Sequence, residues 1–174
     1  ERERLFNACM ESSNAFLFTV VLLATSTGMR LGEVMGLTWS DIDLNKGRIV
    51  LQETKNGERR TVPLVGKALE AIKQHNKVRR LGSDYVFPSR NGKKPACIRV
   101  AWNKAIVKAD IKDFHFHDLR HSTASYLAMN GASLAEIADI LGHKTLQMVK
   151  RYAHLSDSHV AGVLEDMNRK VLGG

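Results

Sequence analysis

A chain of 174 residues, 44% of them hydrophobic, is long enough to bury a core of its own and fits one globular domain. Its net charge of +8 and pI of about 9.7 favour an anionic partner, while two cysteines, Cys9 and Cys97, are too few and too far apart for a disulfide framework or a zinc site. No signal peptide is evident and the apolar run Ala15 to Ala24, interrupted by Thr19, is too short to span a membrane, so a soluble protein of the reducing cytosol is expected.

Taken in order, residues 14–27 read as a mostly apolar, buried helix closed by Gly28. Arg30 and Glu33 follow three apart on a short second helix. There Glu33 can orient Arg30 or a neighbouring histidine through a charge-assisted hydrogen bond, or the two can form an ordinary surface ion pair of little energetic weight. Arg48 to Glu53 and Glu58 to Leu64 read as strands joined through Asn56-Gly57, a strong hairpin signal. Lys55 stands just before that turn. It is either a solvated tip residue or a cation able to reach into a groove and give a proton to a leaving oxygen.

Residues 66–80 have the pattern of a basic amphipathic helix, Tyr85 to Pro88 of a short extended piece, and 95–109 of another helix with Trp102 and Ile106 on its inner side. The elements amount to an α+β chain, mainly helical, with a small antiparallel hairpin. The charge is unevenly placed: residues 61–112 carry 12 Lys/Arg against 3 Asp/Glu. Such a block is what phosphate-backbone binding requires, although a solvated helix face would look the same.

The densest chemistry lies between His117 and Tyr152. His117 and Arg120, three apart, can share one helix face. Leu134, Ile137, Ala138 and Leu141 follow the spacing of a core-facing helix, which Ser133 and Glu136 start as a capping box and Gly142 stops, leaving His143 just outside, able to turn toward a site. Arg presents a planar fork that matches phosphate oxygens, His can manage a proton near neutral pH, and Tyr can act as a nucleophile once its proton is taken. Together they suit attack on a phosphodiester. A metal pair at His117 and His121, with His115 and Asp118 as further ligands, is the competing reading, weakened by the lack of a zincin glutamate. His115, His121, His154 and His159 read individually as surface or core residues, and Tyr126 and Tyr85 as core or rim, Tyr126 having the neighbours of a packing residue in Leu127, Ala124 and Ala128.

Five pieces in order, Thr27-Gly28-Met29-Arg30-Leu31-Gly32-Glu33, Thr54-Lys55-Asn56-Gly57, His117-Asp118-Leu119-Arg120-His121, Leu141-Gly142-His143 and Arg151-Tyr152-Ala153-His154, resemble the tyrosine recombinases or phage-type integrases over nearly the whole chain. The resemblance implies the catalytic-domain fold of that family. It implies that Tyr152 attacks a DNA phosphate to form a 3′-phosphotyrosyl link, with Arg30 and Arg120 on the non-bridging oxygens and His143 donating to one of them. His117 would assist proton transfer, Lys55 would be the general acid, and Glu33 the acidic support. No metal, ATP or other cofactor is implied. The implied partner is double-stranded DNA, with Lys93, Lys94 and Arg99 of the basic block as DNA-binding candidates, and the implied assembly is a tetramer of identical subunits exchanging carboxy-terminal tails.

The apolar positions Val160, Val163, Leu164 and Met167 of the tail suit either role, closing their own core or docking on a neighbour. Family members generally carry an amino-terminal helical domain that grips the other face of DNA, and the motifs here begin where such a domain would have ended, so the expectation is an isolated catalytic domain. A non-catalytic DNA-binding module and a type IB topoisomerase are the alternatives.

Overall fold

Local hydrogen bonds decide where the first helices start and stop. The structure, a computed structural model, describes residues 1–52 and 59–173, and of residues 156–161 the backbone alone. Helix α1, Arg2–Met10, turns Leu5, Ala8 and Cys9 inward against helix α2, Leu17–Thr27. The sequence left α1 unassigned, because three buried positions among charged neighbours make a weak pattern. Helix α2 starts at Leu17 rather than at 14: the Asn14 side chain accepts the Phe16 N–H at 3.0 Å, and Ser12 Oγ accepts the Asn14 N–H at 3.2 Å, so an Asx-type turn takes the place of a first helical turn. Leu17, Val20, Val21 and Leu23 are fully buried, each contributing roughly 1.5–3 kcal/mol. The helix ends as expected at Gly28, whose φ of 66° lies in the left-handed region. Helix α3, Leu31–Gly36, follows at once.

Three antiparallel strands come next in the order β1, Ile42–Asp43, β2, Arg48–Leu51, and β3, Arg60–Pro63. Ile49 faces Val62, and both are buried, which fixes the register. The expected hairpin pairing is thus present, while its turn at Asn56-Gly57 and Lys55 lie outside the described residues. Strand β1 was not foreseen, since two residues carry no periodicity.

Helix α4, Gly66–Lys77, buries Ala68 and Ile72 and leaves Lys67, Lys73 and Lys77 exposed. It stops before Arg79 and Arg80. Helix α5 runs Arg99–Lys108 with Trp102 buried against Phe116, ring centroids 5.0 Å apart. It begins later than residue 95 because the Ala96 N–H bonds the Phe87 carbonyl at 2.8 Å and Pro95 bridges to Pro88, holding that stretch extended.

Helix α6, Asp118–Met129, contains a boundary: the chain divides into two compact units, Glu1–Arg120 and His121–Gly174. The reason is in the sequence. Arg120, His121, Ser122 and Thr123 interrupt the apolar residues between Leu119, last of the first core, and Ala124, first of the second. The second unit adds helix α7, Leu134–Leu141, two 3₁₀ turns at Leu146–Met148 and Lys150–Ser156, and helix α8, Asp157–Met167, which passes into a π turn, Asn168–Leu172. Its core is Ala124, Ala128, Ile137, Ala138, Leu141, Val149 and Tyr152. Tyr126, read as core or rim, is 41% exposed on α6 and so not in the core. Among the described residues no helix is long and apolar enough to cross a membrane.

The two cysteines test the packing of α1. Burial pushes the Cys9 thiol up to about 11, whereas Cys97 is exposed. Because the thiolate is the reactive form, a disulfide-exchange reagent at neutral pH should label Cys97 promptly and Cys9 only on unfolding. Equal labelling rates in the native protein would contradict the burial of α1.

Candidate active site

The first unit anchors two arginines on one turn. After the left-handed Gly28, the chain runs extended through Arg30, φ −71° and ψ 151°, which takes the N-cap position of α3. Arg cannot cap with its own side chain, so Glu33 reaches back: its Oε2 accepts the Arg30 backbone N–H at 2.8 Å and its Oε1 accepts Arg30 Nη1 at 2.8 Å. The same carboxylate accepts Arg60 Nη2 at 2.8 Å. Arg120, 3% exposed, donates from Nη1 to the Gly28 carbonyl at 2.6 Å. That carbonyl belongs to the C-terminal end of α2, where the helix dipole favours a cation.

His117 lies in the turn just before α6, not within the helix, and is exposed; its carbonyl accepts the Arg120 N–H at 3.1 Å. The first turn is closed by Asp118, whose carboxylate accepts the His115 N–H at 2.6 Å. This engages Asp118 as a cap. Among the described residues no three of His, Cys, Asp and Glu gather as a metal site would require.

The second unit holds the nucleophile candidate. Ser133 and Glu136 form the expected capping box, with the Glu136 carboxylate accepting the Ser133 N–H at 2.8 Å and Ser133 Oγ accepting the Glu136 N–H at 3.3 Å. The Ser133 hydroxyl, which also donates to Glu136 Oε2 at 2.7 Å, and after it the Ser133 N–H hold the Glu136 carboxyl below the usual carboxylate range. Gly142 caps α7 with a φ of 66°, and the His143 N–H returns to the Ala138 carbonyl at 2.8 Å. His143 is thereby fixed just past the helix, half-buried. Tyr152, on the 3₁₀ turn, is 6% exposed, and its hydroxyl lies 2.6 Å from His121 Nδ1. A neutral imidazole nitrogen in that position can accept the phenol's proton.

The Phage integrase family model matches residues 1–159. The chain belongs to this family. It is 35% identical over 169 residues to a shufflon-specific DNA recombinase of Escherichia coli, covering 97% of this chain and 42% of that protein. It is 31% identical over 168 residues to the type 1 fimbriae regulatory protein FimE of Escherichia coli strain K12, covering 92% and 85%. The catalytic domain of bacteriophage HP1 integrase superposes with a TM-score of 0.74 at 27% identity, covering 99% of this chain and 94% of that one. The chain thus spans less than half the length of the shufflon recombinase and accounts for nearly all of a solved integrase catalytic domain, with the same α+β fold.

Within this framework the expected residues fall as follows. In the first unit Arg30 and Glu33 bond each other and Arg120 bonds the Gly28 carbonyl two residues before Arg30, with His117 three residues before Arg120; His143 and Tyr152 belong to the second unit; Lys55 lies outside the described residues. Lys93 and Lys94, in the loop before α5, and Arg99, its first residue, are exposed, as DNA contacts would need to be. The rest of the basic block is not uniform: Arg80 donates to the Arg90 carbonyl, and Arg79 stacks 5.8 Å over Trp39. His115 and His154 are exposed, in keeping with a surface role, and the side chain of His159 is outside the described residues. Arg60 and His121 bond Glu33 and Tyr152 through pairings that the sequence does not signal. His121 was read as surface or core, and no spacing rule links it to a phenol 31 residues away.

The His121 contact is testable in the free protein. His121→Phe keeps a ring in place but removes the nitrogen, and should lower stability by about 1–3 kcal/mol in denaturant unfolding. Unchanged stability would mean that the phenol draws no support from His121.

Proposed function

We propose that this chain is the catalytic domain of a site-specific tyrosine recombinase that breaks and rejoins double-stranded DNA. Tyr152 attacks a phosphodiester, the leaving strand departs with a 5′-hydroxyl, and the 3′-phosphotyrosyl link conserves the bond energy for rejoining without ATP. The observation that carries this reading is a near-buried tyrosine whose hydroxyl bonds an imidazole, in a chain that also fastens two arginines to one turn through Gly28 and Glu33.

Each residue has a role that its chemistry allows. Arg30 and Arg120 bind the non-bridging oxygens, where charge spreads in the transition state. His143 donates to one of those oxygens, His117 assists proton transfer, Lys55 protonates the leaving oxygen, and Glu33 supports Arg30. Lys93, Lys94 and Arg99 contact the DNA backbone. Because all these groups are side-chain donors or cations, the reaction as drawn uses no metal or other cofactor. The exposed apolar residues Val163, Leu164, Met167, Val171 and Leu172 after Leu155 suit docking on a second copy in a tetramer on DNA. The similarity to the shufflon-specific DNA recombinase supports the substrate class.

Covalent trapping on nicked duplexes with a randomised core, in EDTA, tests the proposal. A protein–DNA band that resists denaturation should form with the native chain and vanish in Tyr152→Phe, with DNA binding nearly intact. A band persisting in Tyr152→Phe would refute the assignment. Arg30→Lys and Arg120→Lys should each slow attachment by about 100-fold or more, since a point charge cannot reproduce the guanidinium fork. Relaxation of supercoiled DNA with no site requirement would instead indicate a topoisomerase.

A further inference from the structure

We propose that Arg60 is a positioning residue for strand transfer, holding Glu33 so that Arg30 is both oriented and left with an effective positive charge. The inference rests on the assignment of Arg30 to the scissile phosphate. Arg60 opens β3 opposite Leu51. Side chains two apart on a strand share a face, so Arg60 lies on the side of buried Val62. A guanidinium there, 12% exposed, is unfavourable unless it is paired. It is paired with Glu33, 10% exposed, whose Oε2 already carries the Arg30 backbone N–H and whose Oε1 carries Arg30 Nη1.

The charges explain why a second arginine belongs here. Glu33 and Arg30 alone would be a neutral pair, and the nearby carboxylate would oppose the approach of a phosphate to Arg30. Arg60 restores a net charge of one positive unit to the trio. It also occupies the carboxylate oxygen that receives the Arg30 amide, so it fixes Glu33 in the rotamer that holds both backbone and guanidinium of Arg30. Glu33 thus orients Arg30 without cancelling it.

The test uses the whole chain with Arg60→Gln, Arg60→Lys, Glu33→Gln, the double variant Arg60→Gln/Glu33→Gln, and Arg59→Gln as the exposed neighbour control. Two readouts are independent. Hydrogen exchange at the Arg30 amide reports positioning without any DNA, and protection should fall about tenfold in Arg60→Gln, the size of one charge-assisted hydrogen bond. Covalent attachment to nicked duplex should slow by about 100-fold in Arg60→Gln, with DNA affinity little changed. It should recover partly in the double variant, where no unbalanced carboxylate faces Arg30, and less fully in Arg60→Lys, which keeps the charge without the fork. Arg59→Gln should behave as the native chain.

Unchanged Arg30 protection in Arg60→Gln overturns the proposal. So does native-rate attachment by that variant, or a loss that Glu33→Gln fails to relieve, which would mark Arg60 as structural only. If the native chain itself forms no covalent band, the recombinase reading fails instead, while Arg30 exchange still decides whether Arg60 holds Glu33.

Discussion

The left-handed turn at Gly28 is the constraint on which the candidate site depends. Helix α2 can stop there because glycine adopts a φ of 66° without a Cβ clash, and the stop leaves a carbonyl at the negative end of a buried helix. Arg120 is held by that carbonyl from 92 residues away, and Arg30 lies two residues beyond it along the chain. A residue with a Cβ at position 28 would shift the carbonyl and the path into α3 together. Two guanidiniums that are unrelated in sequence are therefore governed by one backbone conformation. Two fixed guanidiniums are thus built from ordinary helix-capping chemistry rather than from a dedicated loop.

Helix α6 carries, on adjacent residues, one contact within each unit. Arg120 donates to Gly28, and the next residue, His121, contacts the Tyr152 hydroxyl. The peptide bond between them joins a residue of the first core unit to one of the second. The polar run Arg120 to Thr123, which breaks the apolar pattern and so separates the two cores, also carries both contacts.

What could be read from the sequence was what depends on near neighbours. The α7 capping box, the Gly142 stop, the Gly28 stop and the Arg30–Glu33 pair all involve residues within a few positions, and each is present in the structure. The pairing of β2 with β3 was legible because Asn56-Gly57 between two strand-like runs signals a hairpin, and buried Ile49 opposite Val62 then fixes its register. Helix starts were less legible. Asn14 and the extended Pro95-Ala96 segment compete with the first helical turn through bonds that apolar periodicity does not encode. Long-range polar partners were not legible at all: Arg60 reaches Glu33 across 27 positions, and His121 reaches Tyr152 across 31. Strand β1 and helix α1 were missed for want of pattern.

The distribution of positive charge separates two physical tasks. Exposed lysines on α4 and before α5 lie in water, where each contributes a screened attraction that salt weakens. They can raise affinity for a polyanion without specifying where a phosphate sits. Arg30 and Arg120 are different, because each is tied by a bond near 2.8 Å or shorter and is shielded from solvent to a degree that surface lysines are not. A cation fixed in advance stabilises developing charge without having to reorganise as the reaction proceeds, and lower local polarity strengthens its field. Fixing it requires acceptors such as Glu33, and every acceptor with a full negative charge weakens the field it is meant to support. A neutral acceptor, as at the Gly28 carbonyl, avoids that conflict for Arg120; for Arg30 the conflict is resolved only if a further cation stands behind the carboxylate, which is the position that Arg60 occupies.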